Sequence, residues 1–490
     1  MSEHFHPDRL DKLAALRELG HDAYPARSPD NREMAADLLA AFETRQGETA
    51  TVCGRVLGRR GYGKLAFIDL GDQSGKIQVV LEKANLSADD FAILSTLNLG
   101  DIITATGPLQ ATQKGQPSLY GHQFAILTKA LLNPPADKQD GLSDTELRAR
   151  MRYVDLFANE GVRDGFLRRS AILRGMREVF HKHGYAEVET PVLQSIYGGA
   201  NAAPFTTHHN ALDMGLYLRI ALELPLKRLI VGGMERVFEM GRVFRNEGIS
   251  TRHNPEFTMV EWYEAYADYE RMAEMVQELV VGAAIEAGCQ KECGAITTTF
   301  RSEVFDLTPP FARVQYRDAF QEHVGCDPAD RDAVAAARKT AGFDSAGEGD
   351  YAYWKSVNDL FEELVEPQLR GPVFVMDYPA AICPLTKAKT DDPEWAERFE
   401  FFLGGMELAN AYSELNDPQI QLAKLQEQVA DADPESPNQV DYDFVRALAY
   451  GMPPTGGCGL GIDRLVMVLT GNDSIRDVLL FPHMRPETQE

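Results

Sequence analysis

Long apolar runs are missing from this 490-residue chain, and none approaches the ~20 residues that a helix needs to cross a bilayer. No membrane association is expected. Cysteine is sparse: Cys53, Cys289, Cys293, Cys326, Cys383 and Cys458 are scattered over the whole length, where a disulfide framework would be dense and a zinc site would show paired spacings. Reduced, unliganded thiols follow. The one close pair, Cys289 and Cys293, has no second pair or His-x-x-His beside it and reads as surface cysteines at a helix end. Positive charge is in deficit, with 49 Lys plus Arg against 74 Asp plus Glu and a formal net charge of −25. Such a surface repels nucleic acid and anionic membranes on average, so any polyanion must meet a local basic patch. The opening Met1-Ser2-Glu3-His4 has neither the basic nor the apolar region of a signal peptide, and a cytoplasmic location is expected. Neither an internal repeat nor a low-complexity tract occurs. What is present, 44% hydrophobic and 25% charged residues, is the composition of a large globular protein of two to four domains.

Residues 1–48 read as an appended helical segment, with Leu10, Leu13, Leu16 and Leu19 spaced by charges, Gly20 as a stop, and Pro25 and Pro29 before a second helical stretch. From Thr51 the texture changes to short β-rich runs at 51–57, 65–70, 76–81, 102–107 and 123–127, punctuated by glycines. Five such strands predict a small barrel. Its window, 51–130, carries eight basic residues against six acidic ones in an otherwise acidic chain. The basic turn of Arg59, Arg60 and Lys64, with an aromatic strand residue at Phe67, fits an oligonucleotide-binding (OB) fold, where bases stack on aromatics and phosphates meet Lys or Arg. A generic barrel with Phe67 in its core fits the same pattern. Residues 131–150 read as a linker, and the remainder as one segment of mixed helices and strands.

Three constellations in that remainder carry chemistry. An amphipathic helix from Val162, with Phe166, Leu173, Met176 and Phe180 on one stripe, ends at Gly184 and feeds a strand, 186–189, stopped by Thr190 and Pro191. Two further strands, 236–245 and 254–263, flank a polar loop, and alternation puts Phe257, Met259, Glu261 and Tyr263 on one face of the second. Arg245 and Arg252 flank that loop, which suits the clamping of a phosphate-bearing ligand; a plain hairpin with a solvated turn fits equally. Beyond them, Glu400 and Glu407 straddle an apolar run, and Asn410, Tyr412 and Glu414 recur at period two. Carboxylates in that setting suit Mg²⁺ or a cationic substrate, or else strand ends in water. The chain closes on the glycine-rich run Thr455–Gly461 before an apolar helix that begins with Arg464 in its first turn. Its spacing is not Gly-x-Gly-x-x-Gly, which excludes a dinucleotide loop. The glycines are expected to let a flat ligand lie against the backbone, with Arg464 stacking on a base or clamping a phosphate.

In this order the three resemble motifs 1, 2 and 3 of the class II aminoacyl-tRNA synthetases: the helix and strand ending at Pro191; Phe244-Arg245-Asn246-Glu247 with Arg252-His253-Asn254-Pro255-Glu256-Phe257; and Gly459-Leu460-Gly461-Ile462-Asp463-Arg464. With an N-terminal barrel the chain is similar to subclass IIb, which charges Asp, Asn or Lys. The stretches Gly198-Gly199-Ala200, Leu226-Lys227-Arg228-Leu229 and Ala411-Tyr412-Ser413-Glu414-Leu415-Asn416-Asp417 resemble the bacterial lysyl-tRNA synthetases. The resemblance runs from about residue 8 to Pro486. It implies an α+β chain: a helical segment (1–48), an OB-fold anticodon-binding barrel (49–132), a linker (133–150) and a class II catalytic domain (151–490), an antiparallel sheet flanked by helices. It implies an ATP-dependent ligase that uses L-lysine and tRNA(Lys) rather than DNA, with Mg²⁺, and a homodimer about the motif 1 helix.

The resemblance also assigns residues. Lysine would be held by the Gly199 carbonyl, Glu223, Glu261, Tyr263, Asn410, Tyr412 and Glu414. Arg245 would clamp the α-phosphate and the lysine carboxylate, Glu247 and His253 the ATP end, and adenine would lie between Phe257 and Arg464. Arg245 and Arg464 are the implied catalytic residues. Glu400 and Glu407 match the Mg²⁺ carboxylates, with Glu407 also on the ATP side. In the barrel, Phe67 and Gln78 match positions that read a U-rich anticodon, while Arg59, Arg60 and Lys64 sit where phosphates pass. Gln116 stands where relatives usually carry Glu, so a carboxylate contact to the anticodon becomes an amide contact. Ala203, Leu222 and Pro225 also depart from the pattern. A non-catalytic RNA-binding paralogue would have lost Arg245, Glu407 or Arg464, and all three are present. An aspartyl or asparaginyl enzyme would need a basic pocket, against which Glu261 and Glu414 argue.

Overall fold

The computed structural model describes residues 4–61, 64–134, 141–344, 349–430 and 439–486. By contacts the chain forms two compact units, Met1–Glu160 and Gly161–Glu490.

The first unit is built on strands that alternate buried and outward-facing residues. In Leu65–Gly71, Ala66, Ile68 and Leu70 are buried, and the residues between them are not. Strand Thr49–Arg60 pairs with Ile102–Ala111 along its first half and with Leu65–Gly71 along its second, shifting register between Val56 and Gly58. Changing neighbours in mid-strand is what lets a sheet curl, and the circuit closes through Lys76–Glu82 and Pro117–Gly121 back to Ile102–Ala111. The result is a closed five-strand barrel, as the sequence predicts, but with a different fifth strand. Pro117–Gly121 completes the ring, whereas Gln123–Thr128 adds to its outside edge along Ile102–Thr106. A five-residue strand that begins at proline carries no apolar alternation to announce it. Gly107 marks the crossing: a Cβ there would stand 1.8 Å from the Tyr120 carbonyl oxygen. Helix Ala88–Thr96, capped by Ser87, fills the gap before Ile102–Ala111 and packs beside helix Pro7–Glu18.

Lys129 belongs to this frame rather than to the basic surface. It is buried and donates to the Thr96 carbonyl (2.7 Å), Asn98 Oδ1 (2.5 Å) and Asp101 Oδ2 (2.7 Å). Helix Thr145–Arg150, capped by the Asp144 side chain, forms inside the stretch that reads as linker.

The second unit is organised around an eight-strand sheet. Its spatial order is Ala312–Gln315, Val373–Pro379, Trp395–Phe402, Glu407–Ser413, Thr455–Gly461, Glu256–Ala265, Arg236–Phe244 and Ala186–Glu187. All pairs are antiparallel except the outermost at each edge. Helices Val162–Lys182 and Tyr269–Glu286 cover one face, packed closely enough that a Cβ on Gly175 would stand 2.8 Å from the Gly282 carbonyl oxygen. Phe180 stacks on Phe238 at 4.2 Å and meets Trp262 edge-on, so the motif 1 helix is anchored on the motif 2 strands. The strand after that helix stops at Glu187, short of the expected 189, because the Thr190 amide and hydroxyl turn to Glu239 Oε2 at 3.0 and 2.7 Å. Cys289 is buried beside the Leu469 carbonyl, which corrects its reading as a surface residue; Cys293 is exposed, and all six thiols are free.

A second core sits over the Val373–Pro379 edge, in the stretch the sequence leaves without a role. Tyr316 stacks on Phe361 at 4.3 Å and packs against Tyr378. Helix Asp350–Leu360 ends there in a π turn, Phe361–Val365, and a 3₁₀ turn, Glu366–Gln368. Among the described residues no helix is long and apolar enough to cross a membrane.

Candidate active site

One cleft of about 420 Å³ opens on the second unit's sheet. Phe257, Met259, Glu261 and Tyr263 all line it, as strand alternation predicts. So do Gly199, Glu223, Arg245, Glu247, His253, Glu407, Asn410, Tyr412 and Arg464. Strand pairing explains the convergence. Glu261 lies opposite Gly459, and Gly459 in turn opposite Asn410; Tyr263 lies opposite Gly457, and Gly457 opposite Tyr412. Three adjacent strands thus put their functional side chains in register. Asp463 ties the motifs together: its Oδ2 accepts from the Thr258 amide at 2.8 Å, and its Oδ1 pairs with Arg169 of the motif 1 helix at 2.6 Å.

At one end of the cleft the charge is positive. The Arg245 guanidinium lies 5.2 Å from the Phe257 ring centroid, and its buried Nε donates no hydrogen bond among the described residues. A buried, unanswered guanidinium donor is costly unless an anion completes it. Arg464 donates to the Glu407 carbonyl at 2.8 Å and lies 3.3 Å from His253 Nε2. Burial and the guanidiniums of Arg464, Arg252 and Arg245 push the His253 pKa below its ordinary value, so the neutral ring accepts from Arg464. Its other nitrogen, Nδ1, lies 2.8 Å from Ser250 Oγ.

At the other end the charge is negative and dry. Glu261 is 4% exposed, accepts from the Leu222 amide at 2.9 Å and from the Tyr263 hydroxyl at 3.2 Å, and is pushed up to about 8 by burial and by Glu223. Burial and Glu223 also push Glu414 up to about 8, against the pull of Lys227. Glu414 stands behind the cleft wall rather than in it: Lys227 contacts both Glu414 and Glu223, the latter at 2.6 Å. The Oε1 of Glu414 accepts no hydrogen bond among the described residues. The glycines of Thr455–Gly461 explain themselves differently from the flat-ligand expectation. A Cβ on Gly457 would stand 2.0 Å from Glu414 Oε1 and 2.4 Å from the Tyr263 ring, and one on Gly459 3.1 Å from Met259, so these glycines make room for the pocket's own side chains.

Glu400 also lies behind the cleft wall. It accepts from the Tyr378 hydroxyl at 2.8 Å, contacts Arg398, and is pushed up to about 7 by burial and by Glu407. Glu366 is driven up to about 9 by burial and by Glu400, Glu407 and Glu362. This concentration of hard oxygen donors fits a divalent cation such as Mg²⁺, yet among the described residues no three acidic, His or Cys groups converge tightly enough to hold one unaided. Sequence reading misses three residues here. Lys227 lies four residues after Glu223 on one helix and Arg398 two before Glu400 on one strand, spacings that place each pair on a common face. Glu366 follows a π turn, and no periodicity announces it.

In the first unit, strand register gathers Arg60, Phe67, Asp69, Gln78 and Ser118 on the barrel's outer face. Phe67 is half-buried there, not in the core. Gln78 is buried and accepts from Ser118 Oγ at 3.0 Å; Gln116 and Lys64 are exposed. Arg59 points to the opposite side and donates to the Leu97 carbonyl at 2.8 Å, which separates it from Arg60.

Residues 144–485 match the family model described as class II tRNA synthetases (D, K and N), and residues 50–127 match that of the OB-fold nucleic acid binding domain. Proteins named lysine–tRNA ligase from Moorella thermoacetica and Syntrophomonas wolfei are each 45% identical, over 98% of this chain and 98% and 97% of their own. One of the same name from Chloroflexus aurantiacus is 46% identical over 98% of both chains. A closed barrel followed by an antiparallel sheet whose cleft is lined by motifs 2 and 3, with motif 1 tied to them through Arg169 and Asp463, matched over nearly its whole length, places this chain in the class II tRNA synthetase family.

Proposed function

We propose that the protein is a lysine–tRNA ligase, activating L-lysine with ATP to lysyl-adenylate and pyrophosphate and then transferring lysine to the 3′ end of tRNA(Lys). One observation carries the choice of amino acid: Glu223 and Glu261 line the dry end of the cleft whose other end Arg245 lines, and Glu414 lies directly behind its wall. An acidic or amide side chain would meet repulsion there, whereas an ammonium group is neutralised. Glu223 and the Gly199 carbonyl take the α-amine, and Tyr263, Asn410 and Tyr412 surround the ε-amine, with the Glu414 carboxylate behind them supplying negative charge.

Arg245 holds the α-phosphate against the lysine carboxylate, and Phe257 and Arg464 sandwich adenine, with Glu247 and His253 at the ATP end. The carboxylate attacks the α-phosphorus in line and pyrophosphate leaves. The terminal ribose hydroxyl of the tRNA then attacks the adenylate carbonyl and AMP departs, with no covalent enzyme intermediate. Positioning and charge neutralisation supply the rate. When bound, Mg²⁺ would offset the charge of the ATP phosphates; Glu407 at the cleft would hold it, with Glu400 turned toward it from its contacts with Tyr378 and Arg398. The barrel, 49–132, reads the anticodon through Phe67, Gln78 and Gln116, with Arg60 and Lys64 toward phosphates. Arg59, exposed while donating to the Leu97 carbonyl, also lies toward phosphates.

Amino-acid-dependent ATP–pyrophosphate exchange without tRNA tests the reading. Lysine alone is expected to support exchange. Exchange with aspartate or asparagine, or with no amino acid, would overturn it.

A further inference from the structure

The side chain of Lys227 is fully buried, on the same helix face as Glu223, and it touches both Glu223 and Glu414. No other cation pairs with these two carboxylates among the described residues. Burying an ammonium with two carboxylates is costly and offers little to stability that apolar side chains of similar size would not. Its position directly behind the cleft wall, against the pocket carboxylate Glu223, calls for a different account.

The account is one of charge. The groups facing this spot are Glu223 from the same helix, Glu261 and Tyr263 from strand Glu256–Ala265, Tyr412 and Glu414 at the end of strand Glu407–Ser413, and Cys458 from strand Thr455–Gly461. Arg245 acts on Glu261 from the phosphate end, and the Phe444 ring centroid lies 6.0 Å from the ammonium. Three carboxylates therefore meet one resident ammonium, leaving two negative charges unanswered. Lysine brings two ammonium groups.

We propose that Lys227 is a positioning and specificity-determining residue of the amino-acid pocket: it fixes Glu223 and Glu414 in place and sets the pocket's charge deficit at two, the number of amines on the substrate. This rests on the lysine–tRNA ligase reading and deepens it. Before lysine binds, the pocket relieves its excess negative charge by taking up protons on Glu261 and Glu414, and lysine displaces them. Without Lys227 the deficit is three, the carboxylates hold their protons more tightly, and lysine binds well only at higher pH.

The test is the pH dependence of the lysine KM in ATP–pyrophosphate exchange, with Lys227→Met against the unaltered protein. The expected result is a lysine KM raised about tenfold or more at pH 7, an upward shift of about one pH unit in its titration midpoint, and an unchanged ATP KM. A lysine KM profile parallel to that of the unaltered protein, or equal rises in both KM values, would make Lys227 merely structural and overturn the proposal. If Lys227→Met does not fold, the double variant Lys227→Met/Glu223→Gln removes the pair together and returns the deficit to two. Its midpoint is then expected to match the unaltered protein, despite a weaker lysine KM, and a midpoint raised by a unit would count against the charge argument. Failure of the unaltered protein to exchange lysine at all would instead sink the functional reading.

Discussion

Arg245 is half-buried on the cleft wall with an unused Nε donor, while most arginines around it are tied to carboxylates or carbonyls. A guanidinium held ready in this way acts on charge that develops at the α-phosphate. Arg245→Ala is expected to lower the exchange rate by about 10²–10³-fold with the melting temperature little changed; near-normal exchange would remove Arg245 from the chemistry. Glu261 yields a second prediction, with the sign set by its raised pKa of about 8 against an ordinary 4.5. The folded, ligand-free protein binds more protons than the unfolded chain between those values, so this group's contribution to stability is full below about 4.5 and is lost as pH rises through about 8. Lysine supplies the missing positive charge. The rise in melting temperature caused by lysine is therefore expected to be larger at pH 8 than at pH 6, and an equal rise at both would contradict it. The pocket face Phe257, Met259, Glu261, Tyr263 is legible because a strand has a period of two; the raised pKa is not, because it comes from burial and from Glu223 on another element.

Strand Thr455–Gly461 shows how an element serves a site by what it omits. Gly457, opposite both Tyr412 and Tyr263, leaves the volume that Glu414 and the Tyr263 ring occupy. Gly457→Ala would force a methyl into that volume. A lysine KM raised roughly tenfold or more, with the ATP KM nearly unchanged, is the expected outcome in exchange assays, and a proportional rise in both would place the glycine's role elsewhere. The barrel teaches a related lesson. Its alternating strands are visible as a pattern, but the short strand Pro117–Gly121 is not, because it owes its place to pairing at Leu109–Ala111 and to Gly107 rather than to its own apolar period. Likewise the basic residues counted along the barrel are not all available: Lys129 is buried, and Arg55 donates to the Gly100 carbonyl at 2.8 Å. Composition counts charges, but only packing decides which of them face outward.

For the whole molecule, two units with separate cores imply separable tasks. The outer face with Phe67 and Gln78 belongs to the first unit and the cleft to the second. Phe67→Ala is expected to weaken tRNA aminoacylation by roughly tenfold or more through KM for tRNA, leaving lysine-dependent pyrophosphate exchange intact; loss of both would contradict the division. The motif 1 region leaves Leu167, Val192 and Leu193 exposed at 47%, 41% and 49%, apolar surface that suits a symmetric contact with a second copy. Sedimentation is expected to show a dimer that Leu167→Lys weakens, and a monomer at micromolar concentration would end that proposal.

The sequence by itself determined the class of molecule. Its strand alternation and its early β-rich window, local periodicities written in consecutive residues, led to a barrel and to the pocket face of one strand, and the resemblance of its three motifs to the class II synthetases implied the antiparallel catalytic sheet. Tertiary structure alone decided that Lys227 sits between Glu223 and Glu414 and that Glu366 joins Glu400 and Glu407. Those relations depend on distances between groups far apart in the chain, and no local period encodes them.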